Sequence, residues 1–403
     1  MNVIAPIIVA GMGPSGSILA LALAKQNIPV ILLEKEAALP IDLRASTFHP
    51  PSLDLIAELD ANVIEKMLEK GLKAHRYQYR DRVSGDVATF EMNLLKGETQ
   101  YPFRLQLEQY ELTHCVNDAL ASYSNVEVRF SHEVIDYTEN DSGVQAKIKT
   151  SEGTIVIDGS FIIGCDGARS KVRKSAGIGY DGFTYDEKFL VVSTDFAFEK
   201  VFDDFSYVNY ISDPNEWCVV LRTEKIWRVL FPTSPKNRDD EKLLLSDKFI
   251  EERLQHFCPS THAYRVPYRT LYSVNQRVAS TYFRGRMALV GDSCHINNPL
   301  GGMGMNGGLH DAFNLAKRLI DIVVNEACFE QEFIDYDRQR RCLAMRFVQE
   351  HTINNKKLME STQSDVQKER QKFFMQSAND PVSAKKFMME RSMIDSLRES
   401  LQS

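Results

Sequence analysis

Three clusters of glycines and carboxylates carry the chemistry available to this chain. The first is Gly11-Met12-Gly13-Pro14-Ser15-Gly16, followed by an apolar run that ends at Glu34-Lys35. Gly11 allows a tight turn, Gly13 lets backbone approach a pyrophosphate, and Gly16 lets a helix pack closely on a strand. A helix starting there presents free amides and partial positive charge to phosphates. Glu34 falls 18 residues beyond Gly16, where a carboxylate accepts hydrogen bonds from ribose hydroxyls. The second cluster is Gly164-Cys165-Asp166-Gly167-Ala168-Arg169, an Asp-Gly turn closing an apolar strand. The third is Gly291-Asp292-Ser293-Cys294-His295, which runs into Pro299-Leu300-Gly301-Gly302-Met303-Gly304-Met305-Asn306-Gly307-Gly308. Gly301, Gly302 and Gly304 suit backbone lying close to a flat ligand.

Presenting these clusters requires strand ends and helix starts at fixed points. Residues 4–10 read as a parallel strand, 14–26 as a helix and 29–34 as a second strand, a βαβ unit. Residues 44–51 form a loop whose double proline ends extended structure ahead of a helix over 52–59. Alternation between about 77 and 105 reads as strands, and 109–123 as a helix. Residues 126–130, 144–150 and 153–157 read as antiparallel strands, and 161–166 as an apolar strand ending at the second cluster. From 180 to 285 the strands carry many aromatics, with one polar helix over 238–256. A short strand over 287–290 precedes a helix over 307–325, and the chain beyond 331 is helical and charged.

The bulk composition narrows the function classes. At 403 residues the chain is long for one compact core, so two packed domains are expected. Its 43% hydrophobic and 26% charged content is that of an ordinary globular protein. A net charge of −7 argues against nucleic acid as a partner. Seven scattered cysteines without a CxxC pair suggest neither a disulfide framework nor a metal site, and point to a reduced, cytoplasmic protein. Glycines interrupt the N-terminal apolar stretch and no basic residue precedes it, so it reads as strand and helix rather than signal peptide. No apolar run is long enough for a spanning helix. A monomer and a homodimer both fit.

In this order and at these separations the three clusters resemble those of the single-component FAD-dependent aromatic monooxygenases, the para-hydroxybenzoate hydroxylase-like family. The resemblance implies bound FAD, with Gly11, Gly13, Ser15, Gly16, Glu34 and Lys35 at its adenosine and pyrophosphate end. It places Asp166, Gly167 and Arg169 near the flavin nucleotide, where they also assist nicotinamide docking, and Asp292 at a ribityl hydroxyl. Pro299, Gly304, Met305 and Asn306 would surround the isoalloxazine. Arg44 matches an arginine at the pyrophosphate, and Gln106 a glutamine at the ribityl chain. NADH or NADPH would reduce the flavin. O2 would then add to it, and the hydroperoxide would pass one oxygen atom to an electron-rich ring, the other leaving as water. Such chemistry needs a dry pocket and a base with a pKa near neutrality.

The fold class implied is mixed α/β (α+β). A Rossmann-like FAD-binding domain would comprise 1–75, 100–180 and 286–330, and an interleaved sheet-based substrate domain 76–99 and 181–285. Residues 331–403 would form a helical C-terminal tail. The catalytic candidates are His49 as base, Pro299 beside the ring, and Tyr210 and Arg222 in the pocket. Trp217 and Tyr272 are further wall candidates. Arg222 and Arg228, read as one strand, would share a face and hold a substrate carboxylate. His295 would shape the Pro299 loop. In the tail, Lys356, Lys357, Glu360, Lys368, Glu369 and Arg370 read as a solvated face, and Met388, Met389 and Met393 as an apolar stripe.

The function expected is hydroxylation of a small phenolic, heteroaromatic or aromatic-acid substrate with NAD(P)H and O2. Hydroxylation of a natural-product or quinone precursor or an aromatic amine also stays open, as does a non-catalytic flavin-binding sensor. A flavin halogenase is disfavoured, because its Trp-x-Trp-x-Ile-Pro element is absent and the only tryptophans are Trp217 and Trp227. A plain NAD dehydrogenase leaves Asp292 and 299–308 unexplained.

Overall fold

Four short apolar runs decide the centre of the molecule. Ile7–Ala10, Val30–Leu33, Phe161–Gly164 and Met287–Leu289 carry no polar side chain, so each tolerates burial on both faces. The computed structural model, which describes residues 5–41, 43–213, 216–360 and 364–402, joins them in one sheet. Its order is Phe283–Arg284, Met287–Leu289, Phe161–Gly164, Ile7–Ala10, Val30–Leu33, Val126–Arg129. Ile7 pairs in parallel with both Val30 and Phe161. The helices Pro14–Ala24 and Met303–Val324 pack against each other, and their apolar side chains share one core with the sheet. Residue 4, expected to open the first strand, lies outside the described residues.

Three expectations are corrected here. Val126–Arg129 pairs parallel with Val30–Leu33, not antiparallel. A four-residue alternating run carries no information on direction, which the crossover between the strands sets. The antiparallel meander consists instead of Glu133–Asn140, Gly143–Thr150 and Gly153–Gly159. The helix expected from Ser52 starts at Pro50, since prolines are tolerated in a first turn that needs no amide donors.

A second sheet of eight strands stands beside the first. Its order is His295–Ile296, Tyr268–Ala279, Tyr180–Thr194, Trp227–Thr233, Cys218–Arg222, Val208–Ser212, Arg76–Asp81, Val87–Glu91. One face packs Phe198, Val220, Trp227 and Phe231 against the helix Asp247–Phe257. The polar helix read over 238–256 is two, Arg238–Leu244 and Asp247–Phe257, because the Ser246 hydroxyl accepts the Phe249 amide and caps a new start. The other face carries Tyr77, Phe90, Phe189, Tyr210 and Trp217, and the C-terminal helices cover it with Phe374, Phe387 and Met388.

The tail is therefore part of the core rather than a free surface. Phe374 stacks on Tyr79 at 3.9 Å and Phe387 on Phe90 at 4.7 Å. Met388 and Met393 are buried, so the apolar stripe faces inward. Lys356 and Arg370 are buried as well, against the expectation of a solvated face. Lys356 pairs with Glu187 at 3.2 Å and lies over the Tyr185 ring. Lys357, Lys368 and Glu369 are exposed, as expected of that face.

Among the described residues no helix is long and apolar enough to cross a membrane, and no cluster of His, Cys, Asp and Glu could hold a metal. None of the seven cysteines is in a disulfide.

Candidate functional site

The three clusters converge at the C-terminal ends of the parallel strands. Gly11 has φ +101, a conformation few other residues adopt. A Cβ there would collide with the Cys165 carbonyl, so the first cluster touches the second through bare backbone. Ser15 lies between the third cluster's Gly291 and Gly308, where an added Cβ would meet its hydroxyl at 2.6 or 2.7 Å. At Gly13, by contrast, a Cβ would meet nothing within 4 Å. The helix Pro14–Ala24 begins at this open position without a side-chain cap. Its unclaimed amides make an anion site.

The carboxylates differ in how far the protein satisfies them. Glu34 is buried and accepts the Met12 and Glu36 amides, each at 3.0 Å, which ties the strand end to the glycine turn. Asp166 accepts the Lys171 and Val172 amides on Oδ2 at 2.6 and 3.2 Å, but Oδ1 is buried without a partner. Burial raises its carboxyl above the usual range. Asp292 is exposed at its surface, and desolvation by the surrounding chain raises its carboxyl against opposing fields from His295 and Arg44. Lys35, Arg44 and Arg169 are exposed. Gly167 follows Asp166 in a left-handed turn.

Around the third cluster the chain is held by His295 and by side chains the sequence did not single out. Arg173 stacks on Tyr180 at 3.8 Å and donates to the Ser293 and Ala168 carbonyls at 2.8 and 2.9 Å, fastening the second cluster to the third. The Tyr180 hydroxyl donates to the Asp292 carbonyl at 2.8 Å. His295 meets Asp311 at 2.6 Å, and Asp311 accepts from Arg340 at 2.7 Å, all three buried. Despite its burial, the Arg340 and His295 charges hold the Asp311 carboxyl down at about 2. His295 thus anchors the long helix rather than the Pro299 loop. That loop is held by Asn298, which accepts the Leu300 amide and donates to the Thr352 carbonyl.

The long helix starts at Met303, four residues before the expected Gly307, because Gly302 enters with φ +67 and ends the loop there. It has no side-chain cap, so the first-turn amides of Met303, Gly304 and Met305 are without intrahelical acceptors. Asn306 is already engaged: its Oδ1 accepts the His49 amide at 2.9 Å and its Nδ2 donates to the Thr47 and Gly302 carbonyls. Pro299 accepts the Gly302 amide at 3.0 Å. The Gln106 Oε1 accepts the Thr47 hydroxyl at 3.0 Å, and its buried Nε2 has no partner.

His49 is fully buried, with Nε2 2.8 Å from the Gly301 carbonyl. A carbonyl only accepts, so the proton is on Nε2 and Nδ1 is the unmatched acceptor. Burial, aided by the Arg104 charge, pushes its pKa down to about 3. That corrects the expectation of a base tuned near neutrality: His49 is neutral and weakly basic.

Tyr210 lies in the aromatic face, stacked on Tyr79 at 4.9 Å, and its hydroxyl accepts from Arg104 at 3.3 Å. Trp217 and Tyr272 flank Phe189 in the same cluster, and Leu300 of the third cluster reaches it too. Arg222 does not join them. A turn after Arg222 returns the chain as Trp227–Thr233, with Leu221 opposite Arg228 and Arg222 opposite Trp227. Arg222 therefore lies on the far face, over the Trp227 ring, and Arg228 on the near one. Arg228 is matched by Glu108 at 2.6 Å and donates to the Arg44 carbonyl. Neither arginine is placed to hold a substrate carboxylate.

Open space at Gly13, two uncapped helix starts and the unmatched Gln106 Nε2 and Asp166 Oδ1 fit a long ligand with a diphosphate and a polar flat ring. The comparisons agree with that donor set. The chain matches the family model described as "FAD binding domain" over residues 5–351. It is 29% identical over 402 residues to the para-nitrophenol 4-monooxygenase of Pseudomonas sp. (strain WBC-3), covering 99% of this chain and 98% of that one. It is 28% identical over 344 residues to the 6-hydroxy-3-succinoylpyridine 3-monooxygenase of Pseudomonas putida, covering 84% and 85%. The crystal structure of a p-nitrophenol 4-monooxygenase from Pseudomonas putida superposes with a TM-score of 0.91 at 26% identity, over 98% of this chain and 99% of that one.

Proposed function

The chain belongs to the FAD binding domain family of flavin-dependent aromatic monooxygenases, and from that premise we propose that it hydroxylates a small, single-ring phenol with NADH or NADPH and O2. The observation that carries this is the reach of Leu300, from the loop expected at the flavin, into the aromatic cluster of Tyr77, Tyr210 and Trp217. A ring bound against that cluster lies beside the loop. Similarity along the full length to nitrophenol monooxygenases supports a substrate of that size.

Bound FAD supplies the redox chemistry that activates O2. The amides at the start of Pro14–Ala24 take its diphosphate, and Glu34 its ribose hydroxyls. Gln106 Nε2 and Asp292 take the ribityl hydroxyls, and the amides of Met303–Met305 steady negative charge on the ring. Asn306 and His49 act one step back, by holding residues 47–49 against Gly301 and Gly302. The packed aromatic face and the C-terminal helices keep water from the reacting ring. Cysteines without disulfides support a cytoplasmic setting.

The test is NADH and NADPH oxidation by the purified yellow protein in air, with and without a panel of phenols, pyridinols and anilines. A ligand that accelerates oxidation and gains one oxygen by mass is the expected result. Flavin-loaded protein whose oxidation rate no ligand alters would overturn the reading.

A further inference from the structure

One buried cation in the aromatic wall has no counter-ion. Arg104 is 2% exposed. Its Nη1 donates to the Tyr210 hydroxyl, its guanidinium lies 4.1 Å from the centre of the Tyr77 ring, and its Nε has no partner. Among the described residues no carboxylate pairs with it, whereas the equally buried Arg228 and Arg340 hold Glu108 and Asp311. A guanidinium withdrawn from water without an anion is unfavourable unless something completes it.

Its strand shows what it faces. Arg104 and Gln106 are two apart in Arg104–Gln106, so their side chains leave the same face. Gln106 turns to Thr47 and leaves its amide nitrogen unmatched, as Arg104 leaves Nε. The same guanidinium is close enough to His49 to help hold that imidazole neutral. A second cation, Arg391 of the tail, leaves Nε and Nη1 unmatched and acts on the hydroxyls of Tyr77 and Tyr79. The wall is thus cationic and aromatic.

We propose that Arg104 anchors the ring-borne oxygen of a substrate that enters already ionised. The proposal rests on the hydroxylase reading and narrows it to phenols acidified by a nitro group, a halogen or a ring nitrogen. Such a substrate needs no proton acceptor in the pocket, which accounts for a neutral, weakly basic His49. The guanidinium supplies a charge-assisted hydrogen bond to the oxyanion.

The test uses the FAD-loaded protein and two ligands that both carry the nitro group, 4-nitrophenol in its ionised form and nitrobenzene. Their dissociation constants are read from the change in flavin absorption. Wild type should favour the phenolate strongly, and Arg104→Gln should reduce that preference by about 30-fold. Arg104→Lys should recover part of it, with flavin content unchanged in both. A wild-type protein that binds the two ligands equally overturns the anchor, as does an unaltered preference in Arg104→Gln. The wild-type comparison can overturn the anchor even if one variant fails to fold, and the second variant then carries the dependence on Arg104. Ligand-stimulated oxidation with no dependence of the preference on Arg104 removes the anchor alone. A preference that depends on Arg104, in a protein whose oxidation no phenol stimulates, removes the hydroxylase reading and leaves the anchor.

Discussion

On the cofactor side of this protein, Arg340, Asp311 and His295 close on one another in a buried chain. On the substrate side, the equally buried Arg104 and the half-buried Arg391 leave nitrogens unmatched. Arg340 and Arg104 lie at similar depth. What separates them is whether the protein itself completes the charge. A completed charge positions backbone, here the start of the long helix, and an uncompleted one marks where a ligand must contribute.

Substitutions on each side sharpen that contrast. The largest effect is expected from Gly13→Val, which places a branched side chain in the open space above the helix start. It should abolish flavin retention, read as the absorbance ratio of flavin to protein, and full occupancy would remove the cofactor assignment. Asp311→Asn strands the Arg340 charge and should cost roughly 3 kcal/mol in denaturant unfolding. Arg104→Gln, tested in the same way, should cost far less, because it deletes a buried charge that no carboxylate pairs with among the described residues. Equal losses in the two variants would break the comparison.

Acid should separate the sides as well. His49 and His310 are both pushed down to about 3 from 6.5 by burial, His310 beside the Ser52 hydroxyl at 3.1 Å. Below pH 6.5 the unfolded chain takes up protons on both that the folded chain refuses, so stability falls from there toward pH 3. Asp311, held at about 2 from 3.8, adds a further loss only as pH drops below 3.8. His310→Gln should make the first decline shallower by about one proton, and an unaltered slope would contradict its neutral burial. The smallest effect is expected for Tyr210→Phe, which removes the acceptor of the Arg104 hydrogen bond. It should raise KM about fivefold while leaving flavin content alone.

The same contrast explains what could be read from residue order. Ile7–Ala10, Val30–Leu33 and Phe161–Gly164 announce themselves because a strand buried on both faces can carry nothing polar. The glycine clusters are legible because the backbone itself does their work, as at Gly11 against Cys165. The substrate wall depends on partners brought together from distant positions. Arg222 and Arg228 look like one strand until the turn at 223–226 puts them on opposite faces. Arg104 stood in plain view two places before Gln106, but its lack of a carboxylate exists only in three dimensions. Helix signals missed Gly302 because a left-handed residue that starts a helix is rarer than one that ends it.

The strand His295–Ile296 belongs by sequence to the cofactor side, yet it pairs with Arg277 and Val278 as the edge of the large sheet. The two halves are consequently not exchangeable cassettes. A substrate sheet transplanted from a relative must bring a Tyr268–Ala279 strand in the same register, or the Pro299 loop arrives misaligned with the ring it is meant to flank. Attempts to redirect specificity should therefore change side chains on the sheet and leave its backbone seam intact.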